Sequence, residues 1–153
     1  MSSTLSNSIR QAEACDVSRI FQLVIPSMRD GSLLLRTCSY FEHHINQFFV
    51  LGRKEEIYGC VQFRSYNEQS GELACLAVTK SMRNMGYGEQ LLDRVVEEAR
   101  RQNKNKVFAL TTKAGSWFLE RGFKEVSVME LPLDRLMEYQ SSKRHSKILV
   151  KNI

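Results

Sequence analysis

The sequence of 153 residues lacks an apolar run of the roughly 20 residues that a membrane-spanning helix needs. Its first segment, MSSTLSNSIRQAEACD, also lacks the apolar stretch of a secretory signal peptide. We therefore expect a cytoplasmic protein with no membrane partner. The length and the 42% hydrophobic content fit a single domain over residues 1–153, with residues 1–7 expected to be disordered.

Cysteine and histidine are too few and too scattered to indicate a metal site. No C-x-x-C pair occurs, and no cysteine has a histidine at metal-ligand spacing. His43 and His44 are adjacent, so on a helix they would point in different directions. We expect no metal, and we expect four reduced thiols in or near the core, at Cys15, Cys38, Cys60 and Cys75.

The charge balance is basic, with 22 Lys and Arg against 17 Asp and Glu, for a net charge of +5. The basic residues are scattered, however, and they do not alternate with aromatic residues as on a surface that stacks nucleic-acid bases. We expect no nucleic-acid partner. A small acidic ligand would explain the same excess, and charge alone does not choose between the two.

Changes in hydrophobic period divide the chain into strands and helices. The predicted strands are SIRQAEA, the two halves of the hairpin FFVLGRKEEIYGCVQFRS, ELACLAV, KVFALTT, KEVSVMEL and KILV. The predicted helices are DVSRIFQLVIPSM capped by Asp16, SYFEHHINQF capped by Ser39, the segment after Gly88, AGSWFLERGF ended by Gly122, and a turn or two at 132–139. This order predicts an α/β fold with a mixed sheet, antiparallel in its middle and flanked by helices.

The most informative segment is RNMGYG, residues 83–88, between a predicted strand and a strongly amphipathic helix. Two of the chain's 8 glycines stand there, one residue apart. Glycine lets the backbone approach a ligand closely, and helix N-termini attract anions. Neither the G-x-G-x-x-G nor the G-x-x-x-x-G-K-[ST] nucleotide motif is present. The segment therefore predicts a phosphate-binding turn of another type.

LAVTKSMRNMGYGEQLL resembles the acetyl-coenzyme A signature Q/R-x-x-G-x-G/A of the GNAT N-acetyltransferases, and WFLERGF resembles their later helix followed by Gly-Phe. The resemblance covers residues 8–151 and implies the GNAT fold, with acetyl-CoA as co-substrate and no metal. It implies that the coenzyme A pyrophosphate is held by backbone amides at Arg83, Asn84, Met85, Gly86, Tyr87, Gly88 and Glu89. The pantetheine arm would pair with Leu76, Ala77 and Val78.

Five further segments, in order, resemble the acetyltransferase domain of bacterial N-acetylglutamate synthases: DGSLLLRT, GELACLAV, ALTT with WFLERGF, ELP and KRHSKILV. This implies transfer of an acetyl group to the α-amine of L-glutamate, the first step of arginine biosynthesis. Two-domain synthases also carry an amino-acid-kinase-like domain at which arginine inhibits. The chain starts at Met1 without room for it, so we expect a short stand-alone form. A homodimer is compatible with the sequence.

The implied reaction needs a base for the α-ammonium group, and a donor that stabilises the departing thiolate. The resemblance implies Glu72, four residues before Leu76, as the base, directly or through a water. It implies Thr111 as the donor to the thiolate. Many GNAT enzymes have a tyrosine where this chain has Phe118, and the departure agrees with the synthase subgroup. Cys75 has no visible base partner, so we do not expect it to act as a nucleophile.

Glutamate brings two carboxylates, and a guanidinium group can bind a carboxylate through two hydrogen bonds. The resemblance implies substrate contacts at Leu34, Arg36, Arg135 and Arg144. The last segment varies in length among such domains, so Lys143 and Lys147 are alternatives to Arg144.

Two other functions fit the same sequence. One is a GNAT enzyme that acetylates a peptide N-terminus, a lysine or another amine. Such a cationic acceptor would usually call for an acidic pocket, and the three arginines argue against it. The other is a non-catalytic module that binds acetyl-CoA, whose behaviour would not depend on Glu72.

Overall fold

The computed structural model describes residues 8–53, 55–142 and 144–153, and these contain seven strands and five α-helices. The segment 1–7, which we predicted to be disordered, and the alternative ligand Lys143 lie outside the described residues. Within the described ranges, none of the helices is both long and apolar enough to cross a membrane.

The order of strands and helices agrees with the prediction. The strands are β1 Ser8–Gln11, β2 Phe48–Arg53, β3 Glu56–Ser65, β4 Ser70–Val78, β5 Lys106–Thr111, β6 Lys124–Val126 and β7 Lys147–Asn152. The α-helices are α1 Val17–Arg29, α2 Cys38–His43, α3 Tyr87–Arg101, α4 Gly115–Leu119 and α5 Leu133–Ser142. Short 3-10 segments are Ala14–Asp16, Ile45–Gln47, Lys80–Met82 and Val128–Glu130.

The strands are hydrogen-bonded in the order β1-β2-β3-β4-β5-β7-β6. The pairs β1–β2, β2–β3, β5–β7 and β6–β7 are antiparallel, whereas β4 and β5 are parallel. The expectation of antiparallel pairing in the middle of the sheet was therefore wrong for β4 and β5. The helix α3 joins these two strands, and a helical crossover returns the chain in the same direction, which makes the strands parallel.

The chain forms two compact units, each with part of the sheet. The N-terminal unit contains the described residues up to Gln62 together with Cys75–Val95. In its core, α1 buries Val17, Ile20, Val24 and Met28, which are three or four residues apart and so share one helix face. The C-terminal unit contains Phe63–Ala74 and Val96–Ile153, with a core around Phe108, Leu131 and Ile148.

Two predicted helix caps differ from the structure. At α2 the side chain of Thr37, not that of Ser39, accepts a hydrogen bond from the amide of Tyr40. Asp16 does precede α1, but its carboxylate accepts from the amide of Glu13 at 2.8 Å and makes no cap bond to the helix. Short polar side chains bond to whichever nearby amide lies within reach, so the composition of a helix start does not decide which one.

The cysteines are free thiols, as predicted, but two of them lie outside the core. Cys60 is buried and Cys75 is half-buried, whereas Cys15 and Cys38 are exposed. Burial raises the pKa of the Cys60 thiol well above its ordinary value, so this group stays protonated. The expectation of four thiols in or near the core was therefore wrong for Cys15 and Cys38.

Candidate active site

The turn before α3 bends through two residues in the left-handed region of backbone conformation. Asn84 has φ 65° and Gly86 has φ 82°, which glycine and asparagine adopt more readily than other residues. A Cβ atom on Gly86 would meet nothing within 4 Å, so glycine serves the conformation here and not the space. The side chain of Arg83 donates to the carbonyl of Val78 at 3.2 Å, which ties the turn to the end of β4.

The helix that follows has 15 residues and begins at Tyr87. The positive end of a helix dipole lies at its N-terminus, where backbone N–H groups also point outward along the axis. The residues 83–86 before it are exposed to solvent. The turn therefore has the conformation, the electrostatic sign and the access that an anionic group requires.

The second half of β4 contains the residues predicted to meet the pantetheine arm. Ala77 is buried, and Leu76 and Val78 are half-buried. Just before them, Cys75 has φ 52°, a value that a residue with a side chain rarely adopts, and its carbonyl accepts a bond from the thiol of Cys60. Such a conformation costs free energy and is a local irregularity within β4.

The neighbouring strand β3 packs closely against the second half of β4. A Cβ atom on Gly59 would lie 2.9 Å from a methyl carbon of Leu91 on α3 and 3.2 Å from the carbonyl of Ala77. Only glycine therefore lets the start of α3 pack against β3 beside the predicted cofactor strand.

Glu72, the predicted base, lies in the first half of β4 and is only 3% exposed. Its carboxylate is bound by Arg135, which we predicted as a substrate ligand. Nε of Arg135 is 2.6 Å from Oε1 of Glu72, and Nη2 is 3.3 Å from Oε2. A buried carboxylate is stable only when it is paired and hydrogen-bonded, and the two-pronged contact supplies both. The structure thus joins two of the predicted site residues that are 63 positions apart.

Three more side chains extend this pair. Nη1 of Arg64 is 4.0 Å from Oε1 of Glu72, and its Nη2 is 3.5 Å from Oε1 of Glu138. Nη1 of Arg135 is 3.6 Å from the same Glu138 oxygen, to which the hydroxyl of Tyr66 donates at 3.0 Å. We call these five residues the charged cluster. It contains two guanidinium groups and two carboxylates, so its formal charges balance.

The protonation of the cluster follows from its surroundings. Burial raises the pKa of the Tyr66 hydroxyl far above its ordinary value, and the negative charge of Glu72 raises it further. Tyr66 therefore remains a hydrogen-bond donor at any pH near neutrality. Burial alone would lower the pKa of Arg135, but the charge of Glu72 and the hydrogen bond to it outweigh burial and raise it. Arg135 accordingly stays positively charged.

The strand carrying Glu72 also depends on glycine. A Cβ atom on Gly71 would lie 2.3 Å from the ring of Phe63 and 3.0 Å from the carbonyl of Arg64. The absence of a side chain at position 71 lets β3 and β4 approach each other beside Glu72, which pairs with Phe108 of β5.

Thr111, the predicted donor to the thiolate, ends β5 and is 7% exposed. Its Oγ1 accepts hydrogen bonds from the amide of Ala114 at 2.9 Å and from that of Lys113 at 3.3 Å. Accepting these bonds leaves the hydroxyl hydrogen able to donate to a third group. Phe118, where many relatives have tyrosine, is buried against the ring of Phe123, with 5.0 Å between ring centroids.

The remaining predicted substrate residues, Leu34, Arg36 and Arg144, are not members of the charged cluster. Leu34 is 37% exposed and lies between α1 and α2. Nearby in sequence, the guanidinium of Arg36 lies 4.2 Å from the centre of the Tyr40 ring, and the Tyr40 hydroxyl is hydrogen-bonded to the buried Gln62. Arg144 is half-buried just before β7, and its amide donates to Ser142 at 3.3 Å.

Sequence reasoning missed three members of the charged cluster, Arg64, Tyr66 and Glu138. One signal for Glu138 was available, because it follows Arg135 by three positions in a segment predicted as helical. Arg64 and Tyr66 lie at the end of an apolar strand and just beyond it, where a sequence pattern does not show what they face. Among the described residues, no group of three or more His, Cys, Asp or Glu side chains could hold a metal ion.

Comparisons with known proteins identify the family of this chain. Residues 15–123 match the model of the acetyltransferase (GNAT) family. Amino-acid acetyltransferase of Neisseria meningitidis is 42% identical over 147 residues, which cover 95% of this chain and 34% of that protein. N-acetylglutamate synthase of Neisseria gonorrhoeae, solved in complex with coenzyme A and N-acetyl-glutamate, superposes with a TM-score of 0.94. It is 40% identical, over 96% of this chain and 35% of that one.

A third relative has the same fold at low identity. Rv2747 of Mycobacterium tuberculosis superposes with a TM-score of 0.83 at 20% identity, covering 95% of this chain and 99% of that one. The two Neisseria proteins are much longer, and this chain spans about a third of their length.

Proposed function

This chain belongs to the GNAT family of acetyltransferases, and from that premise we propose that it transfers the acetyl group of acetyl-CoA to the α-amine of L-glutamate. The observation that carries the proposal is the buried ion pair of Glu72 with Arg135, together with its continuation into Arg64 and the half-exposed Glu138. It places a carboxylate that can take a proton beside a guanidinium group that can bind a carboxylate. The names of the Neisseria relatives point to the same reaction.

In this proposal acetyl-CoA is bound mainly through backbone groups. The amides at 83–89, at the positive end of α3, hold the pyrophosphate. Leu76, Ala77 and Val78 pair with the amide-bearing pantetheine arm, as a strand does with an added peptide. The positive φ values of Gly86 and Cys75 support this assignment, because both residues shape the backbone next to the proposed cofactor contacts.

The transfer requires two proton movements, for which the chain has candidates. Glu72 takes a proton from the α-ammonium group of glutamate, directly or through a water, and the amine then attacks the thioester carbonyl carbon. A C–N bond forms, the C–S bond breaks, and coenzyme A departs as a thiolate. The hydroxyl of Thr111 donates a hydrogen bond to that sulfur. The attacking nitrogen loses its second proton as the amide forms, and the thiolate takes up one proton. The products are therefore N-acetylglutamate and the coenzyme A thiol, while Glu72 releases the first proton to solvent.

Arg135 binds a carboxylate of glutamate in this mechanism. It has the burial and the fixed orientation that such a contact needs, since its side chain is only 13% exposed. Leu34, Arg36 and Arg144 remain proposed glutamate contacts. For Arg36, the packing on the Tyr40 ring supports the role, because it restricts the guanidinium group before a ligand arrives.

The acceptor assay tests this function. Purified protein is incubated with acetyl-CoA and, separately, with glutamate, glutamine, aspartate, lysine, a polyamine and a short peptide, while thiol release and product mass are followed. We expect preferred turnover of glutamate. Preferred turnover of a cationic amine would contradict the acceptor assignment but not acetyl transfer. Binding of acetyl-CoA without turnover of any acceptor would contradict catalysis and favour a non-catalytic module.

A further inference from the structure

The two carboxylates of the charged cluster differ in how firmly they are held. The side chain of Glu72 is 4% exposed and receives two direct bonds from Arg135. The side chain of Glu138 is 46% exposed and lies 3.5 Å and 3.6 Å from the nitrogens of Arg64 and Arg135, beyond the range of a normal hydrogen bond. Among the described residues, the one short contact of its carboxylate is the 3.0 Å bond from the Tyr66 hydroxyl. Glu138 is therefore the loosely held member.

Glu138 lies where a carboxylate ligand would have to lie in order to contact both Arg64 and Arg135. Arg135 directs Nε and Nη2 to Glu72, and its Nη1 faces Glu138. One nitrogen of Arg64 faces the same Glu138 oxygen. A free carboxylate that approached these two nitrogens would have to take the place that Glu138 occupies.

We propose that Glu138 occupies the place of the acceptor's carboxylate in the ligand-free molecule and gives way to it on binding. The inference rests on the proposed function and names a residue that sets affinity for the acceptor. The exchange replaces one carboxylate by another, so the cluster stays neutral and neither arginine is left buried without a partner. Because nearly half of its side chain is already exposed, Glu138 can turn to solvent from the surface of α5.

Removing this competitor should tighten acceptor binding. Glu138→Gln keeps the size of the side chain and abolishes its charge. We expect the dissociation constant of L-glutamate, and its KM, to fall about three- to tenfold, the range for two partly exposed ion pairs. Since the expected effect lies in binding, KM should change by a larger factor than kcat.

A matched control and a second variant sharpen the test. Asp134→Asn removes the same charge from the same helix at an exposed position, and it should leave glutamate affinity unchanged. Tyr66→Phe removes the hydroxyl that holds Glu138, so it should tighten binding in the same direction by a smaller factor. In the double variant Tyr66→Phe/Glu138→Gln the two effects should not add, because both act on one carboxylate.

Titration calorimetry with L-glutamate in the presence of coenzyme A measures affinity without turnover. Tighter binding in Glu138→Gln but not in Asp134→Asn supports the inference. Equal or weaker binding in Glu138→Gln overturns it, while glutamate turnover by the wild-type protein would leave the proposed function standing. If neither protein binds or acetylates glutamate, both the inference and the proposed function are overturned.

Discussion

Asp16 in the N-terminal unit and Glu72 in the C-terminal unit are both buried carboxylates held by one arginine. Arg10 donates to the two oxygens of Asp16 at 2.8 Å and 2.9 Å, and Arg135 binds Glu72 at 2.6 Å and 3.3 Å. The side chain of Asp16 is 0% exposed and that of Glu72 is 4% exposed. The two pairs are nearly alike in the burial of the carboxylate and in the two-pronged contact, although the Arg10 side chain is 41% exposed and that of Arg135 is 13% exposed.

They differ in what surrounds the pair. The partner of Asp16 is six residues away, and the amide of Glu13 completes a closed local turn. The partner of Glu72 is 63 residues away, and the pair continues into Arg64 and the half-exposed Glu138. The closed pair contributes to stability, whereas under our proposal the Glu72 pair borders a carboxylate that gives way to a ligand. An acid–arginine pair therefore indicates a candidate site only together with such surroundings.

The largest expected effect comes from the charge of Glu72. In Glu72→Gln, kcat for N-acetylglutamate formation should fall by about 100-fold or more, since a general base typically contributes about 10²–10⁴. The affinity for acetyl-CoA should change little, because the proposed cofactor contacts are backbone groups at 76–78 and 83–89. Steady-state kinetics and calorimetry with acetyl-CoA measure the two quantities.

The matched control is Asp16→Asn, which removes the same charge from the other buried pair. It should leave kcat within about twofold of wild type, while lowering the midpoint of thermal unfolding. Thermal melts of both variants distinguish a lower kcat caused by unfolding from a lower kcat in folded protein. Wild-type kcat in Glu72→Gln would contradict its role as the base.

The next largest effect is expected on KM for glutamate, when the guanidinium group of Arg135 is replaced. Arg135→Lys keeps the charge but loses the two-pronged contact, so KM for glutamate should rise about 10- to 100-fold, as for a lost hydrogen bond to a charged group. Arg10→Lys makes the same change in the other pair and should not alter KM. Initial-rate measurements over a range of glutamate concentrations test both variants. An equal rise of KM in both would mean that Arg135 acts only through stability.

A fall in pH should weaken the ion pair of Arg10 with Asp16 and so lower the free energy of unfolding. The hydrogen bond from Arg10 holds the pKa of Asp16 below its ordinary value. The unfolded chain therefore takes up this proton at a higher pH than the folded chain does. The stabilisation is complete above about pH 5 and is lost as the pH falls through the pKa of the folded state.

Urea unfolding of the wild type and of Asp16→Asn at a series of pH values tests whether this stabilisation is lost as the pH falls. The variant should be less stable by about 1–2 kcal/mol at neutral pH, a modest value because the Arg10 side chain is 41% exposed. The gap should narrow as the pH falls from about 5 to about 2. A gap that stayed constant over this range would show that the charge of Asp16 is not what stabilises the fold.

The smallest expected effect is that of a substitution at Gly86, which lies in the turn before α3 and belongs to neither ion pair. Gly86 and Gly31 both have positive φ, 82° and 84°, and a Cβ atom on either would meet nothing within 4 Å. Replacement by alanine should therefore strain both backbones alike, by about 1 kcal/mol. Only Gly86→Ala should weaken acetyl-CoA binding, by about fivefold, measured by calorimetry. Equal affinities in the two variants would contradict the assignment of the turn to the pyrophosphate.

Much of the fold could be predicted because its signals are local. The hairpin of β2 and β3 followed from two apolar runs around a charged turn, and α3 followed from apolar residues at helical spacing. The GNAT fold implied by RNMGYG and WFLERGF is confirmed by the family match and by the superposition. The parallel pairing of β4 with β5 was missed, since a strand looks the same in sequence whichever way its neighbour runs.

The helix α5 shows where local patterns stop being sufficient. We predicted a turn or two at 132–139, and the structure has ten residues, Leu133–Ser142. Arg135 and Glu138 both lay within the predicted segment, but no local pattern showed that they contact Glu72 and Arg64.

The sequence by itself determined the family, the order of the elements and the glycine-rich turn at the start of α3. These depend on backbone conformation and on the spacing of apolar residues, and both are properties of neighbouring positions. Only the tertiary structure decided that Glu72 meets Arg135, that Arg64 and Tyr66 join them, and that Asp16 belongs to a separate, closed pair. Pairing between distant charges is set by how strands and helices pack and by which groups they remove from water together, and no local pattern contains that information.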